Sequence, residues 1–227
     1  MPSRNYGCDV YLLDTDVVEQ PLTERLQRLS RTQQLHSLPL AIHGDNASVV
    51  AQLNGQWKCN GRARLDLSDA QQNLWRLSTQ YAALPYDLCF AHHVPRSLNK
   101  VADELANRSL NEGNVYHWSR KGLRYLFNEL ARGIDCKGFL QVRFDGAFRR
   151  GCGRSAIGVS IEFAIPPLRS IRLLDLGREV QCKDSYMAEM MAANQATHEL
   201  LSLYTKIAMS CSYCSQKGQV LNMDTAS

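Results

Sequence analysis

The chain has 227 residues, a formal net charge of +4 and a composition that is 44% hydrophobic and 21% charged. That is length for one or two domains with a real core, and it excludes a disordered or fibrous chain. No stretch approaches the ~18 apolar residues of a membrane span. The N-terminus lacks the apolar core of a signal peptide. The mild basicity is compatible with a nucleic-acid partner, but a solvated, slightly cationic surface is the more common explanation. Eight cysteines without a secretion signal read as reduced thiols. The expectation is therefore an intracellular protein, nuclear or cytoplasmic, not secreted and with no membrane partner.

In chain order, Cys8–Leu13 reads as a strand. A helix follows from about Leu22 to Gln34, with Leu22, Leu26 and Leu29 at helical spacing. Pro39–His43 is a short apolar run, expected as a buried strand. Ala47–Leu53 begins a helix that Asn54-Gly55 ends. Gln56–Arg64 is a polar loop. Ser68-Asp69 is expected to cap a helix with Leu74, Leu77 and Tyr81 on one face, closed at Pro85. Tyr86–Val94 is a strand, 95–99 a loop and Lys100–Ser109 a helix with Val101 and Leu105 facing in. Residues 111–118 look like the end of that unit.

Ser119 then starts an amphipathic helix with Leu123, Leu126, Phe127 and Leu130, closed by Gly133. Gly138–Phe148 is a strand, Gly151 and Gly153 make a hairpin turn, and Ala156–Ala164 is a second strand. Pro166-Pro167 break it, and Ile171–Val180 is the third. Asp184–Leu203 is a long helix. A last strand is expected at 220–224, carrying Asp224. Cys211 and Cys214 form a lone CxxC without the second ligand pair that a zinc site needs.

The chain contains a repeat cut at both ends. Residues 14–19 read Asp-Thr-Asp-Val-Val-Glu, and residues 184–189 read Asp-Ser-Tyr-Met-Ala-Glu. Each is followed by a strand ending in Asp, at Asp45 and at Asp224. Three units follow: 1–112, a helical connector at 113–137, and 138–227. Joined later half first, the elements give three hairpin-type strands, a helix and two strand–helix units, an α/β sheet of mixed direction.

Five residues carry the candidate chemistry. Asp145 lies mid-strand in an apolar run, costly unless it is paired or binds a metal. Gly146 beside it leaves room for close approach. Glu189 sits in the first turns of a helix. Asp45 ends a strand, and Asp103 lies near a helix start. His93, at a strand end, stands ten residues before Asp103. Four carboxylates are about what two divalent ions ~3.5–4 Å apart require, and such a pair drives attack on phosphodiesters.

Four segments resemble ribonuclease H in its plant and retroelement form. Phe144-Asp145-Gly146-Ala147 followed by a hairpin is similar to the first strand. Residues 185–189, Ser-Tyr-Met-Ala-Glu, resemble the first helix. Residues 44–50, Gly-Asp-Asn-Ala-Ser-Val-Val, resemble the fourth strand and the helix after it. Residues 93–107, from His-Val-Pro-Arg to Asp-Glu-Leu-Ala-Asn, resemble the last loop and helix, the most specific of the four.

The resemblance implies a ribonuclease H-like mixed five-stranded sheet flanked by helices. It implies two Mg²⁺ or Mn²⁺ ions held by Asp145, Glu189, Asp45 and Asp103, with His93 assisting proton transfer or product release. The implied activity is hydrolysis of the RNA strand of an RNA–DNA hybrid. The family order is Asp, Glu, Asp, His, Asp, whereas here Asp45, His93 and Asp103 precede Asp145 and Glu189. By resemblance, 1–112 is the C-terminal portion, from third strand to last helix, and 138–227 the N-terminal portion, from first to fourth strand. The chain is then either a circular permutation or a slice of a tandem array. Glu19 or Glu189, and Asp45 or Asp224, compete for the same places. Glu189 and Asp45 keep the fuller flanking motifs.

Two further readings stand beside the enzyme. In one, the fold survives as an inactive nucleic-acid-binding module acting through Lys58, Arg62, Arg64 and Arg96. In the other, the chain is a fragment of a retrotransposon polyprotein. A composite domain requires the strand at 39–44 to lie parallel beside 139–147. It also brings the carboxylates of Asp45, Asp145 and Glu189 within ~6 Å of one another.

Overall fold

The computed structural model describes residues 38–59, 63–81, 91–131, 138–167 and 169–223. The strand at 8–13, the helix at 22–34, Glu19, Arg62, Gly133 and Asp224 lie outside these residues.

The first element is β1 (Leu40–Gly44), followed by α1 (Ala47–Leu53) and α2 (Ala63–Tyr81). Asn46 caps α1 because its Oδ1 accepts from the backbone N–H groups of Ser48 and Val49 at 3.2 and 3.3 Å. This fixes the bend at Asp45 directly after the strand. Helix α2 begins at Ala63, earlier than the Ser68-Asp69 cap, which lies inside it. Ala63 and Leu67 are buried in the core, so packing extends the helix upstream of its local start signal.

Strand β2 (Ala91–His93) leads through a short 3₁₀ turn at Arg96–Leu98 to α3 (Lys100–Glu112). Of the expected strand at 86–94, residues 86–90 lie outside the described residues. The inward face of α3 carries Ala102, Leu105, Ala106 and Leu110, with Val101 half-buried. Residues 115–118, expected as the end of a unit and part of a helical connector, form strand β3 (Val115–Trp118). Helix α4 (Arg120–Ala131) follows, with Ser119 Oγ accepting from the Gly122 N–H at 3.0 Å.

The second half holds β4 (Phe139–Arg149), β5 (Arg154–Ile165) and β6 (Arg169–Val180), paired antiparallel in sequence. It ends in α5 (Ser185–Met223), where Asp184 Oδ1 accepts from the Met187 N–H at 2.8 Å. The strand expected at 220–224 is corrected by this helix, whose last residues are 220–223. A four-residue segment such as Val220-Leu221-Asn222-Met223 is too short to distinguish strand from helix by periodicity.

The strands form one mixed sheet in the order β2-β1-β4-β5-β6-β3. Among the described residues it has six strands where five were expected. The sixth, β3, adds antiparallel to the free edge of β6, from Val115 opposite Gly177 to Trp118 opposite Leu174. Strand β1 lies parallel to β4, Leu40 opposite Leu140 and His43 opposite Arg143, and parallel to β2 on its other side. The two halves of the chain therefore share one sheet. Its mixed direction and flanking helices are consistent with a ribonuclease H-like fold.

Both faces are tightly covered near the centre. A Cβ on Gly146 would meet the backbone N of Glu189 at 2.2 Å, so α5 lies directly on β4. A Cβ on Gly158 would meet the Ala102 carbonyl at 2.1 Å, so α3 lies directly on β5. Gly158 faces Asp145 across the ladder, and Gly146 is the next residue. Side chains alternate along a strand, so α3 and α5 sit on opposite faces. Helices α1 and α2 join α5 on its face. Phe144, Phe163, Ile42, Leu74 and Leu77 fill that core with under 2% exposure, each contributing about 1.5–3 kcal/mol by burial.

The α3 face also carries polar residues. Glu162 accepts from Arg143 at 2.9 Å and from Arg172 at 2.8 Å, and Arg172 also reaches Asp175 at 2.5 Å. His43 Nδ1 accepts from the Gln141 side-chain amide at 3.1 Å. Burial, then Arg143 and His92, push the His43 imidazole down to about 4.

Candidate metal centre

The parallel pairing of β1 with β4 sets the site. Asp45 follows the last residue of β1, Asp145 lies within β4, and Gly146 lets the first turns of α5 come down beside them. One carboxylate oxygen from each of Asp45, Asp145 and Glu189 lies within 4.8 Å of the others. Glu189 is buried with 6% exposure, and Asp145 with 4%. The burial comes from the close contact at Gly146, which sequence spacing does not report.

Asp103 lines the same cleft of about 220 Å³, with Arg96, Asn107, Arg149 and Ser185. Its carboxylate is bonded to the Arg96 guanidinium, and it is not one of the three clustered carboxylates. His93 stands at the rim. Its Nε2 is 3.1 Å from the Asp45 carbonyl oxygen. A carbonyl only accepts, so this nitrogen carries the proton and Nδ1 is left as the acceptor. All five expected site residues thus lie at one end of the sheet. Of the duplicates, Glu19 and Asp224 are outside the described residues.

The electrostatics are those of crowded carboxylates in a poorly solvated place. Burial first, then the charge of Asp45 and a carboxyl–carboxyl hydrogen bond with it, push Asp145 up to about 8. Burial, then Asp145 and Asp45, push Glu189 up to about 9. Arg96 and the Gly146 N–H, which donates to the Glu189 carboxylate, oppose this. Glu189 Oε2 is buried with no hydrogen-bond partner among the described residues. An orphaned buried oxygen is costly, and a cation would satisfy it. The donors are all carboxylate oxygens, the set that hard cations such as Mg²⁺ and Mn²⁺ prefer. The residues present therefore fit a divalent metal.

Sequence reasoning passed over Asn99. It is fully buried ahead of α3, and its Nδ2 donates 2.9 Å to the carbonyl of Phe144, the residue before Asp145. It ties the start of α3 to the strand that bears the central acid. Its signal was only an Asn before a helix, a common cap whose tertiary partner is not visible locally.

Residues 26–109 match the sequence profile of a family described as reverse transcriptase-like. The match covers the segment that holds β1, α1, α2, β2 and nearly all of α3, including Asp45, His93 and Asp103. No curated protein and no solved structure matches the chain. Among the described residues no helix is long and apolar enough to cross a membrane.

Proposed function

We propose that the chain is a ribonuclease H-like nuclease that hydrolyses the RNA strand of an RNA–DNA hybrid with two divalent cations, Mg²⁺ or Mn²⁺. The carrying observation is the meeting of Asp45, Asp145 and Glu189, drawn from three elements far apart in sequence, within 4.8 Å. The reverse transcriptase-like match over 26–109 supports nuclease-type chemistry.

In this reading the strand order is a circular permutation of the family's. Strand β4 takes the part of the first strand, β5 and β6 the second and third, α5 the first helix, and β1 and β2 the fourth and fifth strands. The order β2-β1-β4-β5-β6 with β1 parallel to β4 supports it.

Asp145, Asp45 and Glu189 would hold the ions, with Asp103 completing the set from α3. When bound, such a pair activates a water and stabilises the leaving oxygen of a phosphodiester. The protein's own contribution is to hold the acids rigidly. The Asn46 cap fixes Asp45, the ladder between β4 and β5 fixes Asp145, and the Gly146 N–H orients Glu189. His93, pinned through Nε2, offers Nδ1 to a proton at the rim.

The test is cleavage of an RNA–DNA hybrid by the purified chain. Cutting of the RNA strand with Mg²⁺ or Mn²⁺, lost on chelation and in Asp145→Asn, is the expected result. Asparagine keeps the shape of the side chain and removes its charge. A folded protein that binds Mn²⁺ yet leaves the hybrid intact would instead be a nucleic-acid-binding module.

A further inference from the structure

The acids of the cleft are accompanied by a guanidinium whose place the metal reading leaves unused. Arg96 stands on the turn between β2 and α3 and donates through Nη2 to Asp103 Oδ1. Its side chain is 73% exposed, while that of Asp103 is 23% exposed. Its positive charge also reaches inward and opposes the upward shifts of Asp145 and Glu189. Arg96 thus sits where a counter-ion to the acidic cluster would sit. The other arginine of the cleft, Arg149, is bonded to Asn111 Oδ1 at 2.8 Å, away from the acids.

We infer that Arg96 is an exchangeable ligand, held by Asp103 in the cation-free cleft and released to a backbone phosphate of the nucleic acid when a divalent cation takes Asp103. A divalent cation among the four acids repels the guanidinium and competes with it for the same carboxylate. An exposed ion pair resists such competition weakly. The planar guanidinium fork, once released at the mouth of the cleft, matches phosphate oxygens. Loading of the cation and binding of the phosphodiester are therefore coupled through one side chain, and such coupling is reciprocal. The phosphate half of this inference rests on the nuclease reading. The competition half rests only on the Arg96–Asp103 pair and the acids behind it.

The full chain, Arg96→Ala and Arg96→Lys would each be titrated with Mn²⁺ by calorimetry without nucleic acid. Each would then be titrated with a hybrid whose RNA strand is 2′-O-methylated to prevent cleavage, with and without Mn²⁺. Loss of the competing charge should tighten Mn²⁺ binding in Arg96→Ala by about 5-fold or more. The same variant should weaken hybrid binding by about 5-fold or more with Mn²⁺ present, and by less than ~2-fold without it. Arg96→Lys keeps the charge but not the fork, so its Mn²⁺ affinity should stay near wild type while its hybrid binding falls. Unchanged Mn²⁺ affinity in Arg96→Ala would overturn the competition. A hybrid loss equal with and without Mn²⁺ would show Arg96 to be an ordinary surface contact. If the wild-type chain binds no hybrid, the phosphate half falls with the nuclease reading, while the Mn²⁺ titration still decides the competition.

Discussion

Asp145 shows how a single side chain is set by its surroundings. In solution it would titrate near 4. In the fold, burial and Asp45 push it up to about 8, and Glu189 behind it up to about 9. A carboxyl whose folded value is raised favours folding in its protonated form. Its contribution is complete below the unfolded value and is lost as pH rises through the folded value. The metal-free protein should accordingly melt at lower temperature at about pH 9 than at about pH 5. Asp145→Asn removes one of the crowded charges. In chelator near pH 8 it should melt a few degrees above wild type, at about 2–4 °C per kcal/mol for chains of this size. It should also lose the Mn²⁺-induced rise in melting temperature that binding to the folded state produces. Thermal melts of both proteins, with chelator and with Mn²⁺, check this. A mutant that melts lower than wild type in chelator would show that Asp145 is not repelled there.

His93 is a second residue-scale case. The Asp45 carbonyl fixes its tautomer, so truncation removes a proton acceptor without disturbing the acids. His93→Ala should slow hybrid cleavage by about 10²–10⁴-fold, the usual range for a positioned acid–base group. Its Mn²⁺ affinity should not change. A variant with wild-type turnover would remove His93 from the chemistry.

The cleft depends on how β2 is held at the sheet edge. Asn54, just past the end of α1, donates through Nδ2 to the Ala91 carbonyl at 2.8 Å. Its Oδ1 accepts the Ala91 N–H at 2.9 Å. One amide side chain thus does for the first residue of β2 what a neighbouring strand would do. Asn54→Ala leaves both buried backbone groups without these partners, at a cost of about 1–3 kcal/mol. Denaturant titration should show that loss, and amide exchange should show it concentrated at Ala91 and His92. Exchange that speeds up evenly through the sheet would argue against this local role.

The sheet itself is shared between the halves. Strand β1 lies between β2 and β4, so neither the first half nor the second completes the core alone. A fragment of residues 138–227 should expose Phe144 and Ile161 and should fail to show a cooperative melt. Mixing it with a fragment of residues 1–137 should restore a melt that responds to Mn²⁺. Circular dichroism and calorimetry of the separate and mixed fragments check this. A second-half fragment that melts cooperatively and responds to Mn²⁺ unaided would show that its site does not need Asp45.

Much of this molecule was written locally. The strands β4, β5 and β6, the turn at Gly151–Gly153, the start of α5 at Asp184 and that of α4 at Ser119 follow from residues a few positions apart. Asp145 stood out because a carboxylate in an apolar strand needs a partner, and Gly146 because it permits close approach. What lay beyond the sequence is non-local. Val115–Trp118 becomes a strand because β6 offers it an unpaired edge. Helix α2 starts at Ala63 because the core extends past its cap signal. Residues 220–223 extend α5, since a run that short carries no period of its own. Asp103 turned toward Arg96, and Asn99 toward the Phe144 carbonyl, are contacts that no spacing encodes. The sequence by itself determined which side chains could bind a cation and on which elements they ride. The resemblance led to the expectation that the strand at 39–44 lies beside 139–147, but only the tertiary structure decided that β1 does pair with a strand about a hundred residues away, because hydrogen bonds between strands depend on edges brought together by packing. That pairing is what gathers Asp45, Asp145 and Glu189 in one cleft.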